Sequence, residues 1–294
     1  MPELRGICPV LPVPFLLNCE IDFASFDRVV DFALGAGVSA LAVLGLGSES
    51  WKFTEAERGL IVEAIVRRVA GTVPVVAGVG AESARCAIQH AQQAERAGAS
   101  ILMVTPPLNF RLSEDAILDY YRAISDACEL PIMIQDTSSV GVNQMPVGLI
   151  MRLATEIKNI KYAKIETLPA GPKISLLREQ TGLVLFGGNG ALNMLDALER
   201  GASGMMPGAE IADRFVEIWR LYCDGQVVEA AAAHKEILPL LALESQGAEA
   251  FVAIVKQVLY LRGVIASPMV RPPASYVVDN IAARQIAALV GELA

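Results

Sequence analysis

Lys164 is the residue in this sequence whose position points most directly to chemistry. It is one of seven lysines, and the other six fall in helix-like stretches or at their edges, where a solvated charge is the ordinary state. Lys164 instead lies inside an apolar, strand-like run, and alternation places it on the same face as Tyr162 and Ile160. Burial disfavours a charged ammonium and leaves a neutral amine that can attack a carbonyl carbon. A structural ion pair with Glu166 or Asp136 is the alternative.

A glycine-rich segment, Gly45–Ser50, is the second feature suited to chemistry. The N-cap signal at Thr54 places a helix directly after it. Glycines in such a loop let backbone N–H groups approach an anion, so the segment could hold a carboxylate or a phosphate. A tight turn without a ligand fits the same residues. Within the segment, Glu49 is expected to anchor the following helix or a neighbouring turn rather than to contact a substrate.

The elements that must position these residues alternate between strand-like and helix-like patterns. Eight short apolar runs, the first over Gly6–Val13 and the sixth over Ile160–Ile165, are each followed by a stretch with apolar residues three and four apart. Eight consecutive units predict a closed parallel (β/α)8 TIM barrel, with a doubly wound open sheet as the alternative. Residues 1–225 are assigned to the barrel and residues 226–294 to a C-terminal extension of about three helices packed on it.

The site of such a barrel is expected in the loops that follow the C-terminal ends of its strands. Strand five is expected to end in a polar run that includes Ser138 and Ser139. The candidate site residues that fall at strand ends or in these loops are Gly47, Ser48, Thr105, Gln135, Lys164, Glu166, Gly188, Asn189 and Met206.

Composition excludes several classes of function. There are 24 Lys and Arg residues against 32 Asp and Glu, and the resulting net charge of −8 argues against nucleic acid or an anionic membrane surface as the partner. No apolar run reaches the ~18 residues that a membrane-spanning helix needs. No secretory signal pattern is visible at the N-terminus, and the five scattered cysteines are predicted to be reduced and buried, as in a cytoplasmic protein. The two histidines, His90 and His234, are too few for a zinc site or a Ser–His–Asp triad.

The sequence resembles the N-acetylneuraminate lyase/dihydrodipicolinate synthase superfamily over nearly its whole length. The segment Asn159–Lys164 is similar to the family's Schiff-base lysine strand, and Gly45–Ser50 falls where the family has a Gly-Thr-Thr-Gly-Glu loop that grips the carboxylate of an α-keto acid. The resemblance implies a covalent imine on Lys164, a 2-keto acid substrate, no metal and no added organic cofactor. It also implies a homo-oligomer, a tetramer or a dimer. Further similar segments are Val104–Pro106, Leu130–Pro131, Gly141 and Gly187–Gly188.

Several positions depart from the synthase pattern. Leu46 and Gly47 replace the two threonines of the carboxylate loop, and Gln135 replaces the tyrosine of strand five that relays protons. Pro107 and Leu108 stand where the family has another tyrosine, and no arginine lies near residues 139–141. Leucine carries no proton and an amide is a poor acid or base, so dihydrodipicolinate synthase activity itself is not expected.

Other segments resemble the branch of the family that contains 2-keto-3-deoxy sugar acid dehydratases. They are Ile134–Asp136, Lys164–Thr167 and Gly263–Ser267. The resemblance implies a class I lyase in which the iminium on Lys164 acts as an electron sink while a C3 proton and the C4 hydroxyl are lost. The alternatives are a pyruvate-dependent aldolase, a dihydrodipicolinate synthase-like enzyme, and a keto-acid-binding protein with little catalysis.

The roles expected of the remaining residues follow from this chemistry. Backbone N–H groups of Gly47 and Ser48, with the Ser48 hydroxyl, would hold the substrate carboxylate. Gln135 would orient the substrate or a water, and Glu166 would act as acid or base or else pair with Lys164. Asn189 would contact distal hydroxyls, and Met206 would form part of the cavity wall. Thr105 and Gly188 are the other expected substrate contacts.

Overall fold

Eight parallel strands form the centre of the molecule in the computed structural model, which describes residues 4–137 and 141–293. The strands run in the order β1-β8-β7-β6-β5-β4-β3-β2, and a helix follows each of them. The prediction of a (β/α)8 TIM barrel with a C-terminal helical extension is confirmed. The strands are β1 Gly6–Ile7, β2 Leu41–Val43, β3 Val75–Gly78, β4 Ile101–Val104, β5 Ile132–Asp136, β6 Ile160–Ile165, β7 Val184–Gly187 and β8 Gly204–Met205.

Hydrogen bonds from the segment after β1 close the barrel. Val10 forms single parallel bridges to Ala42 of β2 and to Gly208 after β8. The predicted strand over Gly6–Val13 is therefore regular over two residues and then continues as isolated bridges. This closure leaves no free sheet edge between β1 and β2, so all eight strand ends surround one opening.

The strands separate two apolar layers. Inside the barrel, a small cluster that includes Cys8, Met103, Phe186 and Met206 fills the interior, and a larger cluster lies between the strands and the surrounding helices. Tyr162 packs on the inner cluster, as predicted. The other apolar side chains of the inner layer are Leu4, Val10, Ala40, Ala42, Val76, Ile101 and Met133, with Val184 packed against them.

A bulge at the start of β6 corrects one prediction about its faces. Ile132 of β5 pairs with Ile160, but Met133 pairs with Tyr162, so Lys161 is an extra residue in the ladder. Ile160 therefore joins the outer cluster, and placing it on the face of Lys164 was wrong. Beyond the bulge the alternation is regular, and Lys164 is in register with Gln135 and Phe186.

The helices begin and end at residues that the sequence marks. Thr54 forms a capping box with Glu57 at the start of the second helix, and the Ser113 side chain caps the fourth. Gly98 and Gly201 follow the third and seventh helices with positive φ. The barrel helices are α1 Phe23–Gly35, α2 Glu55–Val69, α3 Ala84–Arg96, α4 Glu114–Asp126, α5 Val147–Glu156, α6 Ala170–Gln180, α7 Met194–Glu199 and α8 Ala212–Cys223.

The extension consists of α9 Val227–Glu244, α10 Ala248–Leu261 and α11 Asn280–Leu293. Helix α9 packs on α8, and α10 packs on the short 3₁₀ turn Leu46–Ser48 of the glycine loop. The extension therefore contributes to the end of the barrel where the strands terminate. The boundary drawn at residue 225 stays a prediction.

Lys256 of α10 contradicts the expectation that the other lysines are solvated. Its side chain is fully buried, contacts the Glu49 carboxylate and donates to the Met269 carbonyl oxygen at 3.0 Å. Burial lowers the pKa of Lys256 to about 8, although the Glu49 charge opposes that shift. Glu49 also accepts from Lys52 at 3.0 Å and from the Arg271 backbone at 3.2 Å. Glu49 thus anchors the glycine loop to the extension.

The cysteines are all free, but their predicted burial is only partly correct. Cys8 and Cys128 are buried and Cys19 is half-buried, whereas Cys86 and Cys223 are exposed on helices α3 and α8, so the prediction was wrong for the two exposed residues. Burial raises the pKa of the Cys8 thiol to about 12. No helix in residues 4–137 and 141–293 has both the length and the apolar character needed to cross a bilayer.

Candidate active site

Lys164 opens onto a cavity of about 300 Å³ at the C-terminal end of the barrel. The side chain extends from β6 and its residue is 5% exposed. The barrel supplies one wall of the cavity, and α9 and α10 of the extension supply the other. Among the lining residues are Leu46, Gly47, Glu166, Asn189, Met206, Leu241, Glu244 and Phe251. Five of the predicted site residues, Gly47, Lys164, Glu166, Asn189 and Met206, therefore share one cavity.

Glu166 is the partner of Lys164. Its Oε1 lies 3.2 Å from Lys164 Nζ and accepts from the Asn189 backbone N–H at 3.2 Å. Its Oε2 accepts from Gln135 Nε2 at 3.1 Å. Both carboxylate oxygens are thus held by donors, and the carboxylate is fixed beside the amine it would exchange a proton with.

Local backbone geometry explains how Glu166 reaches this position. Glu166 follows β6 directly, and Gly188 follows β7, the neighbouring strand. A Cβ atom at Gly188 would overlap Cγ and Oε1 of Glu166, so only glycine leaves room for the carboxylate. Asn189 adds a bond from its Nδ2 to the Glu166 carbonyl oxygen at 2.8 Å. Gly188 thus makes space for a site residue, and its predicted role as a substrate contact stays a prediction.

Asp136 is occupied elsewhere. It is fully buried and accepts from Lys173 Nζ at 2.8 Å and from Thr167 Oγ1 at 2.7 Å. Of the two partners considered for Lys164, the structure therefore selects Glu166. The ion pair does not close the site, because the cavity lies in front of the amine.

The glycine loop presents its backbone differently from the prediction. The Ser48 hydroxyl donates to the Leu11 carbonyl oxygen at 2.6 Å and accepts from the Leu44 N–H at 3.0 Å, and Ser48 is fully buried. The Ser48 N–H bonds to the Gly45 carbonyl oxygen at 3.1 Å. Ser48 is therefore not brought to the cavity wall. The N–H groups of Leu46 and Gly47 make no hydrogen bond to the described residues, and both residues line the cavity.

Gln135 and Thr105 line a second cavity of about 370 Å³ rather than the one that Lys164 faces. Leu46 and Thr137 line both cavities and lie between them. Gln135 still affects the Lys164 cavity, because its side-chain amide donates a hydrogen bond to the Glu166 carboxylate there. Ser138 and Ser139, which belong to the polar end of β5 in the sequence, lie outside the described residues.

Two carboxyl groups in this region were not predicted from the sequence. Glu244, at the end of α9, lines the Lys164 cavity, and Glu210, which follows β8, is fully buried. Burial, with the Glu210 charge as a second cause, raises the pKa of Glu244 well above its usual range. Burial raises the pKa of Glu210 to about 7. The available signal was periodicity, because Glu244 continues the buried stripe of Ile237, Leu240 and Leu241.

No group of three or more His, Cys, Asp or Glu side chains in the described part of the chain is arranged to hold a metal ion. His90 contacts the Glu55 carboxylate at 2.7 Å, and His234 Nε2 lies 3.1 Å from the Ala191 carbonyl oxygen. Both histidines therefore have structural partners outside the pair formed by Lys164 and Glu166.

The fold and the site define a class: TIM-barrel proteins with a buried lysine on the sixth strand that opens onto a cavity large enough for a small molecule. The family model described as the dihydrodipicolinate synthetase family matches residues 3–291. The chain belongs to that family, and the resemblance seen in the sequence is confirmed.

Relatives and solved structures agree with this assignment. L-2-keto-3-deoxyarabonate dehydratase of Azospirillum brasilense is 34% identical over 278 residues, which cover 92% of this chain and 89% of the relative. 4-Hydroxy-tetrahydrodipicolinate synthase of Thermotoga petrophila is 28% identical and covers 92% of this chain and 94% of its own. The crystal structure of YagE from Escherichia coli K12, solved in complex with pyruvate, superposes with a TM-score of 0.89 at 26% identity and covers 98% of both chains. The family assignment makes this chain an enzyme.

Proposed function

We propose that this protein is a Schiff-base dehydratase of a 2-keto-3-deoxy sugar acid. The observation that carries the proposal is the buried amine of Lys164, which faces a cavity of about 300 Å³ with Glu166 at 3.2 Å. The Azospirillum brasilense relative, named as a dehydratase of such an acid, supports the choice of substrate class. Neither a metal nor an added organic cofactor is needed, because the imine itself is the electron sink.

Imine formation is the first step. Glu166 accepts a proton from the Lys164 ammonium across 3.2 Å, and the free amine attacks C2 of the keto acid. A C–N bond forms, one amine proton moves to the C2 oxygen, and Glu166 returns the proton that it accepted, so the oxygen leaves as water and Glu166 is a carboxylate again. The bonds from Gln135 and Asn189 hold the Glu166 carboxylate in place during this exchange.

Elimination follows from the iminium. The C3 proton is acidic beside the C=N⁺ bond, and Glu166 is the carboxylate next to the lysine nitrogen that can take it. The resulting enamine returns its electron pair to form the C3–C4 double bond while the C4–O bond breaks. Water then hydrolyses the iminium and releases the product from Lys164. The balance is the loss of one water from the substrate.

The substrate carboxylate is placed on the glycine loop. The N–H groups of Leu46 and Gly47 border the Lys164 cavity without a hydrogen bond to the described residues. Amides in a short turn of this kind can bind an anion. The N–H groups expected to hold the carboxylate are therefore those of Leu46 and Gly47, instead of those of Gly47 and Ser48. This contact depends on the backbone and does not need the missing threonine hydroxyls.

An aldolase that releases or adds pyruvate is the second candidate, because it shares the first covalent step. The pyruvate complex of YagE supports it. Product analysis separates the two: a dehydratase releases one keto acid with the full carbon chain, whereas an aldolase releases pyruvate and an aldehyde. A keto-acid-binding protein with little catalysis would form the imine and release neither product.

Trapping tests the proposal. The protein is incubated with pyruvate and borohydride, and its intact mass is measured before and after peptide mapping. One reduced adduct on Lys164 is expected, absent in Lys164→Ala and retained in Lys161→Ala, whose exposed lysine lies on the same strand. L-2-keto-3-deoxyarabonate and other 2-keto-3-deoxy acids are then assayed for water loss. An unmodified Lys164 refutes the Schiff base, and an adduct without turnover of any acid favours the binding protein.

The homo-oligomer, a dimer or a tetramer, and the cytoplasmic location stay predictions. Light scattering of the purified protein measures the oligomeric state.

A further inference from the structure

Glu244, on the far wall of the Lys164 cavity, and Glu210, which follows β8, are buried carboxyl groups near enough for the charge of Glu210 to raise the pKa of Glu244. Glu244 is 3% exposed and Glu210 is fully buried. Both oxygens of Glu210 and Oε1 of Glu244 have no hydrogen-bond partner in the described part of the chain. Buried carboxylates are normally paired, because an isolated buried charge is costly. Two neighbouring buried carboxyl groups, three of whose four oxygens lack a donor, are therefore expected to retain a proton.

The charged groups around the pair do not neutralise both members. Arg262 is the nearby cation, but it binds the Glu210 backbone oxygen at 2.9 Å and both oxygens of Asp213 at 2.9 and 2.7 Å. Its charge favours ionisation of Glu210, whereas the Asp213 carboxylate opposes it. Across the cavity, Lys164 is already paired with Glu166. Of the two buried carboxyl groups, Glu244 is therefore the one whose negative charge would be less compensated by a nearby cation.

The position of Glu244 gives it access to substrate. It ends α9 and lines the same cavity as Lys164, between Leu241 and Ser245. Among the described residues that line this cavity, Glu166 and Glu244 are the two carboxyl groups. They come from different walls, because Glu166 follows β6 and Glu244 belongs to the extension.

Elimination needs a base and an acid at different atoms of the substrate. Glu166 beside the lysine nitrogen is suited to remove the C3 proton, and its ion pair with Lys164 requires it to be ionised before imine formation. The departing C4 oxygen needs a proton, since hydroxide is a poor leaving group. The Ser48 hydroxyl donates to the Leu11 carbonyl oxygen instead of facing the cavity.

We propose that Glu244 is the general acid that protonates the C4 hydroxyl as it leaves, and that Glu210 is a positioning residue that keeps the proton on Glu244. The inference rests on the proposed dehydratase function. In the step, the C4–O bond breaks with its electron pair on oxygen, the Glu244 proton completes a water molecule, and the enamine electrons form the C3–C4 double bond. Glu244 is left as a carboxylate and is reprotonated from solvent, so no oxidant or reductant is consumed.

A change of leaving group tests the assignment. Glu244→Gln is assayed with L-2-keto-3-deoxyarabonate and with its 4-deoxy-4-fluoro analogue, which gives the same product but expels fluoride and needs no proton. The variant is expected to lose about 100-fold or more in kcat on the hydroxyl substrate and to stay within about threefold of the parent on the fluoro analogue. Borohydride trapping of pyruvate on Lys164 should be unchanged. Glu236→Gln, at an exposed carboxylate on the same helix, is the matched control and should retain both activities.

The outcomes separate the two proposals. Equal losses on both substrates, or retained activity on the hydroxyl substrate, overturn the role of Glu244. A parent enzyme that forms no imine, or that dehydrates no acid, overturns the proposed function and this inference with it. If Glu244→Gln does not fold, Glu210→Gln tests the same idea, because removing the neighbouring charge lets Glu244 lose its proton at lower pH. The basic limb of the kcat profile should then move down by about one pH unit, and an unmoved limb contradicts the assignment.

Discussion

Replacing Glu210 with glutamine should make the protein more stable above neutral pH. The side chain is fully buried, its two oxygens have no hydrogen-bond partner in the described part of the chain, and burial raises its pKa from 4.5 to about 7. Glutamine has nearly the same shape and does not titrate. The substitution therefore removes the cost of a buried charge without opening a cavity.

The size and sign of the effect follow from linkage. The unfolded chain loses the Glu210 proton near pH 4.5, and the folded protein retains it to about pH 7. Between these values the folded state binds more protons, so stability falls as the pH rises through that window. The full difference is about 3 kcal/mol, since one pKa unit corresponds to about 1.4 kcal/mol. For a chain of this length, that corresponds to a rise in Tm of roughly 5 °C.

Thermal unfolding of the parent and of Glu210→Gln at a series of pH values measures this pH-dependent difference in stability. The two Tm values should agree near pH 4.5 and diverge up to pH 8, with the variant the more stable. Glu236→Gln, whose carboxylate is 61% exposed, should follow the parent throughout. A Tm difference that is independent of pH, or a variant that is less stable at pH 8, would show that Glu210 does not hold a proton in the folded protein.

Three further substitutions test a glycine beside the site, a buried ion pair and a helix cap. Gly188→Ala should lower kcat by about 100-fold with little change in Tm, because the added methyl group displaces Glu166; steady-state kinetics and a melting curve check this. Lys256→Met should cost about 3 kcal/mol at pH 7, since it removes a buried partner of Glu49, and a urea titration that shows an unchanged midpoint would contradict it. Thr54→Ala should cost about 1 kcal/mol by removing the capping box; retention of the full unfolding free energy in the same titration would argue against that role.

Periodicity in the sequence was sufficient to predict the barrel and the inward face of Lys164. Each strand-like run buries apolar side chains, and each helix shows a stripe of apolar residues, so the order of elements follows from local pattern. The N-cap at Thr54 was predicted for the same reason, because caps are formed by neighbours in sequence.

Local pattern failed where a single residue changed the register. The bulge at Lys161 sends Ile160 to the outer face, although strict alternation places it inside. A bulge depends on how two strands fit together, and the sequence of one strand does not contain that information.

What the sequence determined by itself is therefore the order of the elements, the buried faces where the alternation is regular, and the amine on β6. The tertiary structure decided which charges meet: Glu49 with Lys256, which are 207 residues apart, and Glu244 with the cavity of Lys164. The physical reason is that desolvation and Coulomb energy depend on distance in space and on the surrounding elements, whereas periodicity records only which side of an element is buried.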